Sequence, residues 1–182
     1  MRSQRRWSPA LAVVAVILGV VLGGYVTAGA LSTSTAAPLT VGGVVTVHPA
    51  AGWRLVDQTG GPAGAGVRIT RGSGTLDVFT GPAVGDAAAT ARAYVSGSLE
   101  PGSTSLTVSP GLDAVTLDGG LPAVRLSYSG VFDQSGVPIE GEVTVAVTPS
   151  GSGVVFDVWA PQGQLRFVVD DAHAMELGAT FP

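Results

Sequence analysis

The chain contains neither cysteine nor lysine. Without cysteine there is no disulfide, no zinc–thiolate site, no thiol nucleophile and no lipid-modified cysteine, so stability rests on core packing. Without lysine a Ser–Lys catalytic pair is excluded, and all nine basic residues are arginines. Charge of either sign is scarce: 12% of the residues are charged, against about 25% in an average soluble domain. Histidine occurs only at His48 and His173, and no Gly-x-Ser-x-Gly elbow is present. Hydrolytic chemistry therefore has few residues to draw on.

The charge that is present is unevenly placed. Arg2, Arg5 and Arg6 precede an apolar segment, and all thirteen acids come after it. From residue 32 onward six arginines meet thirteen acids, a net of −7. Such a domain offers no basic footprint to a phosphate backbone, which argues against nucleic-acid binding.

Residues 10–31 form the apolar segment. As a helix, Leu11–Leu31 would be about 31 Å long at 1.5 Å per residue, which matches a hydrocarbon core of about 30 Å. The arginines of residues 1–9 keep that end in the cytoplasm and place the C-terminal part of the chain outside. A second reading is a signal peptide: Ala10–Leu22 has the length of its apolar region, and Ala28-Gly29-Ala30 has the form of a cleavage site. The expectation is thus a single-pass cytoplasmic-membrane protein with its C-terminal domain outside, or a protein secreted after cleavage near Ala30. Both require export. Residues 32–40 (S-T-S-T-A-A-P-L-T) read as a short tether, and 41–182 as one extracytoplasmic domain.

Within that domain, short apolar or alternating runs between Gly and Pro turns predict strands. They span 44–48, 53–57, 67–70, 75–80, 105–108, 114–117, 123–132, 139–148 and 154–160. The run Gly60–Gly66 reads as a flexible loop, and Arg71–Gly74 as a hairpin turn. In the strand at 139–148, Val143, Val145 and Val147 alternate with Glu142, Thr144 and Ala146, which predicts one buried and one wet face. Asp86 can cap a helix over 86–99, where Ala88, Ala91, Tyr94, Val95 and Leu99 recur at helical spacing. Asp170 or Asp171 can cap a last short helix through Leu177, with Phe181 packing back. Strands, one helix, strands and a terminal helix define an α+β class with an antiparallel sheet.

An opening strand followed by P-x-x-G-W (Pro49, Ala50, Ala51, Gly52, Trp53) resembles the start of the PsbP-like fold. The likeness continues through a hairpin, a helix, a long meander and Ala160-Pro161 ahead of a closing helix, and it covers nearly all of residues 41–182. In element order the chain is also similar to LpqN/LpqT-like exported envelope proteins of actinobacteria. Those proteins carry an acylated cysteine that this chain lacks, so here the N-terminal helix would replace the lipid. The resemblance implies an antiparallel sheet flanked by helices and a role in binding or assembly, with no catalytic residue to transfer and no cofactor.

Candidate site residues are correspondingly few. Trp159 shares a strand face with Val155 and Asp157 while Val154, Phe156 and Val158 fill the other. Both faces are largely apolar, so either a helix covers the second face or a groove opens there. Trp53 and Trp159 are candidate ligand contacts, with Arg125 and Arg166 as candidate rim residues. His48, before Pro49, reads as a turn residue. Asp170 and His173 at i and i+3 could share a helix face, and Glu140 and Glu142 point the same way from one strand. Capping and solvation account for these four more simply than metal binding or acid–base work.

The leading expectation is a membrane-anchored, non-catalytic binding or assembly module of the bacterial cell envelope, engaging an envelope protein or an apolar, lipid-like ligand. One alternative is an envelope hydrolase or metal-dependent enzyme using Asp170, His173 and a carboxylate from Glu140 or Glu142. Another is a purely structural exported domain.

Overall fold

A computed structural model describes residues 37–61, 64–132 and 136–182. The predicted membrane or signal segment at 10–31, the basic residues 1–9 and most of the tether lie outside the described residues. No helix among the described residues is long and apolar enough to cross a membrane.

The described chain opens with a small hairpin, β1 (Leu39–Val41) and β2 (Val45–Val47), turned at Gly42 and Gly43, whose φ angles are +59° and +69°. Two successive residues at positive φ suit glycine and match the strand twist of a tight hairpin. The end of the predicted tether, Leu39 and Thr40, is therefore strand, because Leu39 packs on the core below it.

Three strands continue as a meander: β3 (Arg54–Gly61), β4 (Gly64–Arg71) and β5 (Gly74–Pro82). The predicted Gly60–Gly66 loop is corrected here, since Gly60 pairs with Ala65 and Gly61 with Gly64 inside the β3–β4 ladder. The glycines serve close approach: a Cβ on Gly64 would lie 2.3 Å from the Thr80 carbonyl oxygen, and one on Gly66 would lie 2.7 Å from the Phe79 ring. Composition alone reads such a run as loop, because glycine is also the commonest turn residue.

Helix α1 (Ala87–Tyr94) is capped as expected, the Asp86 carboxylate accepting from the Ala89 amide at 2.7 Å. Past Tyr94 the coil widens into a π-type turn over Val95–Leu99 and then a short 3₁₀ turn over Glu100–Gly102. Next come β6 (Ser103–Val108), β7 (Asp113–Thr116), β8 (Pro122–Phe132), β9 (Pro138–Val147) and β10 (Ser152–Pro161). Helix α2 (Val169–Leu177) closes the domain, and Phe181 packs back on the core. Val168 stands at the α2 N-cap and makes no side-chain cap bond, so the expected Asp170 or Asp171 cap is not formed and both acids sit in the first turn. They still favour the helix there through its dipole.

The main sheet is antiparallel throughout, in the order β3-β4-β5-β10-β9-β8-β6, with β7 also paired to β8. Strand β10 is central and both of its faces are covered. The β1–β2 hairpin and α2 cover one face over Ile69, Leu76, Val78, Val154, Phe156 and Val158. The turns of α1 and its π-type extension cover the other over Leu126, Tyr128, Val143, Val145 and Val155. The predicted wet face of β9 is accordingly dry where α2 lies, with Thr144 and Ala146 both at 0% exposure.

Phe156 is fully buried at the middle of the first layer. Phe156→Ala is expected to cost about 3–5 kcal/mol through lost burial and a residual cavity, read as a lower urea midpoint in equilibrium unfolding.

Candidate functional site

The second face carries an acid at its centre. Asp157 interrupts the apolar run of β10, and the residue directly opposite on β5 is Asp77. Both are 4% exposed. Two buried carboxylates across one strand pair repel, so each needs hydrogen bonds or a counter-charge.

The two acids are served differently. Arg68, opposite Asp77 on β4, grips it with a fork: Nε donates to Oδ1 at 2.6 Å and Nη2 to Oδ2 at 3.0 Å. The Trp159 indole Nε1 adds a bond to Oδ2 at 3.1 Å. Asp157 receives two phenols, Tyr94 Oη at 2.7 Å on Oδ2 and Tyr128 Oη at 2.8 Å on Oδ1. Tyr94 arrives from the last turn of α1. Tyr128 reaches across β9 because Gly141 leaves room: a Cβ there would lie 2.5 Å from its Cζ.

Burial pushes the Asp157 carboxyl up to about 7, and the Asp77 charge adds to the rise. The two phenols and Arg68 pull it back only in part. Tyr94 and Tyr128 are raised as well, by burial first and then by the Asp157 charge. The hydrogen-bonded Asp77 raises Arg68, which stays cationic.

Above this floor opens a groove of about 340 Å³, walled by Phe79, Leu99, Phe132, Ile139, Trp159 and the two tyrosine rings. Phe79 and Tyr94 are tilted rings 6.2 Å apart, and Tyr128 meets Phe132 edge-on at 6.2 Å. Aromatic walls over a few convergent polar groups are the usual composition of a small-molecule site.

The four expected ligand contacts do not converge. Trp159 lines the groove, as its strand face required. Trp53 is 2% exposed in the opposite layer, where its Nε1 donates to Asp171 Oδ2 at 3.5 Å. Arg125 also lies on that opposite face: its Nη2 donates to Glu176 Oε2 at 2.6 Å and its Nε to Thr144 Oγ1 at 2.8 Å. Arg166 is exposed and stacks on its neighbour Phe167 at 4.8 Å. Strand parity separates Arg125 from Trp159, and nothing in the sequence placed Arg166.

The alternative acid–base set is likewise divided. His173 Nε2 sits 2.8 Å from Glu142 Oε2. Glu140, however, is spent on the backbone amides of Gly163 and Leu165, at 2.8 and 3.0 Å. Asp170 is exposed, and no group of three or more His, Asp or Glu side chains able to hold a metal occurs among the described residues. His48 is exposed beyond β2, as expected of a turn residue. Sequence reasoning noted Asp157 beside Trp159 but missed Asp77, Arg68, Tyr94 and Tyr128. The available signal was a lone acid inside each of two apolar runs, T-L-D-V-F and V-F-D-V-W.

No protein-family model matches the sequence, and no curated protein does. Solved structures do match. A crystal structure of LpqN, described as involved in cell envelope biogenesis of Mycobacterium tuberculosis, aligns with a TM-score of 0.54 at 18% identity, over 80% of this chain and 90% of that one. The solution structure of the cyanobacterial PsbP protein CyanoP from Synechocystis sp. PCC 6803 aligns with a TM-score of 0.57 at 13% identity, over 82% and 94%. The fold is PsbP-like.

The raised Asp157 carboxyl has a consequence for stability. Its folded pKa of about 7 lies above the ordinary value of 3.8, so the native state holds this proton more tightly than the unfolded chain does. The contribution is fully present below about pH 4 and is lost as pH rises toward 7. Asp157→Asn removes that loss. The melting temperature of the variant relative to the parent is expected to rise by several degrees between pH 5 and pH 8 in paired thermal melts.

Proposed function

We propose that this protein is an exported, membrane-tethered binding module of the bacterial cell envelope, without catalytic activity, whose ligand site is the groove above Asp77 and Asp157. The observation that carries this reading is the groove itself: a cavity of about 340 Å³ on one face of the sheet, with aromatic walls over two buried acids.

A binding role fits the state of the two acids better than a catalytic one. Each of their four oxygens already accepts a hydrogen bond from a protein donor. A general acid or base must reach the proton it moves, and here the donors hold the carboxylates back. Of the groups the hydrolase alternative draws on, His173 and Glu142 meet at 2.8 Å, but Glu140 is engaged by backbone amides and Asp170 is exposed. The envelope setting rests on the basic-then-apolar N-terminus together with the likeness to LpqN. The membrane anchor is residues 10–31 in this reading, and residues 32–40 tether the domain to it.

Ser98 is exposed on the groove's rim, which allows the opening to be blocked without touching the core. Full-length protein extracted from cells is expected to carry a co-purifying apolar molecule, detectable by solvent extraction and mass spectrometry. Ser98→Trp is expected to reduce that molecule at least severalfold with an unchanged melting temperature. Equal recovery from both proteins would remove the groove from the reading. The intact mass of the same sample tests the anchor, an uncut chain being expected.

A further inference from the structure

Among the described residues, one carboxylate of the groove floor has no ion pair of its own. Asp77 is neutralised by the Arg68 fork, but the partners of Asp157 are two phenols. A phenol donates a hydrogen bond and brings no charge, so it does not balance an ionised carboxylate out of water. The charged or titratable groups around Asp157 are Tyr94 from α1, Tyr128 from β8, Asp77 from β5 and Arg68 from β4. Arg68, at 48% side-chain exposure, is directed to Asp77. With Asp157 ionised these groups sum to one negative charge at the base of an aromatic cleft.

We propose that the groove binds an organic cation, an alkylammonium head on an apolar tail, with the head over Asp157 among the rings of Trp159, Tyr94 and Tyr128. The inference rests on the groove being the binding site and adds the chemical class of its occupant. Three properties select that class. Aromatic faces attract large, weakly hydrated cations. The single net negative charge of the floor, with Asp157 ionised, repels anions. Phe79, Leu99 and Ile139 offer a neutral wall to a hydrocarbon tail but do not distinguish one head group from another. The bound cation supplies the charge that Asp157 lacks, and each of its carboxylate oxygens keeps a second lone pair beside its phenol bond.

Binding is then linked to protonation. Ionising Asp157 in the free protein requires passing about pH 7, whereas a bound cation favours the ionised form at lower pH. Affinity rises as pH rises through that value, by about tenfold between pH 6 and pH 8.

The test uses the full chain in dodecyl maltoside, labelled with 5-fluorotryptophan, so that fluorine resonances report Trp159 in the groove and Trp53 in the opposite layer separately. Hexyltrimethylammonium, hexanol and hexyl sulfate are titrated in turn. The cation is expected to move the Trp159 resonance saturably, at least tenfold more tightly than hexanol, while hexyl sulfate leaves it in place. The Trp53 resonance is expected to hold still throughout. Asp157→Asn is expected to abolish the preference for the cation and its pH dependence, its own Trp53 resonance reporting an intact core. Equal affinity for all three probes, or an Asp157→Asn protein that still prefers the cation, overturns the proposal and leaves the groove as a binding site for apolar molecules. No movement of Trp159 with any probe overturns both readings.

Discussion

Everything on the second face of the sheet depends on the placing of two acids opposite each other at its middle. Asp77 and Asp157 are register partners on β5 and β10, the strands that join one half of the sheet to the other. A pair of buried like charges at that junction demands compensation, and the surrounding architecture supplies it. Arg68 comes from the next strand. The indole of Trp159 comes from two residues along β10, and Tyr128 comes from across a glycine in β9. Tyr94 draws in the end of α1, just where the helix loosens into its wider turn. The groove is the space left between these donors and the apolar wall beyond them.

The opposite face solves a similar problem with a different result. Glu176, in the last turn of α2, is at 0% exposure, held by Arg125 and by Thr144 through one oxygen, and burial raises its carboxyl as well. Its other oxygen, Oε1, has no hydrogen-bond partner among the described residues. Here the counter-ion is built in, since Arg125 lies in the same network. The His173–Glu142 contact flanks that network on its outer side. One face thus fastens a helix with a completed ion pair, while the other leaves its central acid with hydrogen bonds alone. That difference separates a structural polar cluster from a candidate site better than burial does.

Much of the fold was legible because its signals are local. Asp86 caps α1 where a side-chain oxygen can meet a free amide, the strand runs are bounded by Gly and Pro, and the face of Trp159 comes from a period of two. The features that escaped notice depend on partners distant in sequence. The inner side of β9 reads as wet until α2 is laid over Thr144, thirty-two residues away. Gly64 and Gly66 read as loop until β5 is placed beside them. For the site, each acid was visible as a lone charge in an apolar run, but pairing Asp77 with Asp157 needed the strand order. The order β5-β10 joins segments far apart in the chain, and no periodicity records it. Arg125 was set beside Trp159 in expectation, and parity along β8 and β9 puts it on the other side of the sheet.

The bridge between Thr46 and Thr180, with an amide–carbonyl bond of 2.9 Å in each direction, makes the described domain close to a ring. Its first hairpin and its last residues are stitched together, so the order of connection around the ring carries little of the stability. Joining ends that already touch adds little loop-closure entropy, and new termini belong at exposed turns such as Gly72 or Gly151, which have open space around them. A permuted chain of this kind is expected to keep the sheet order, the covered faces and the groove.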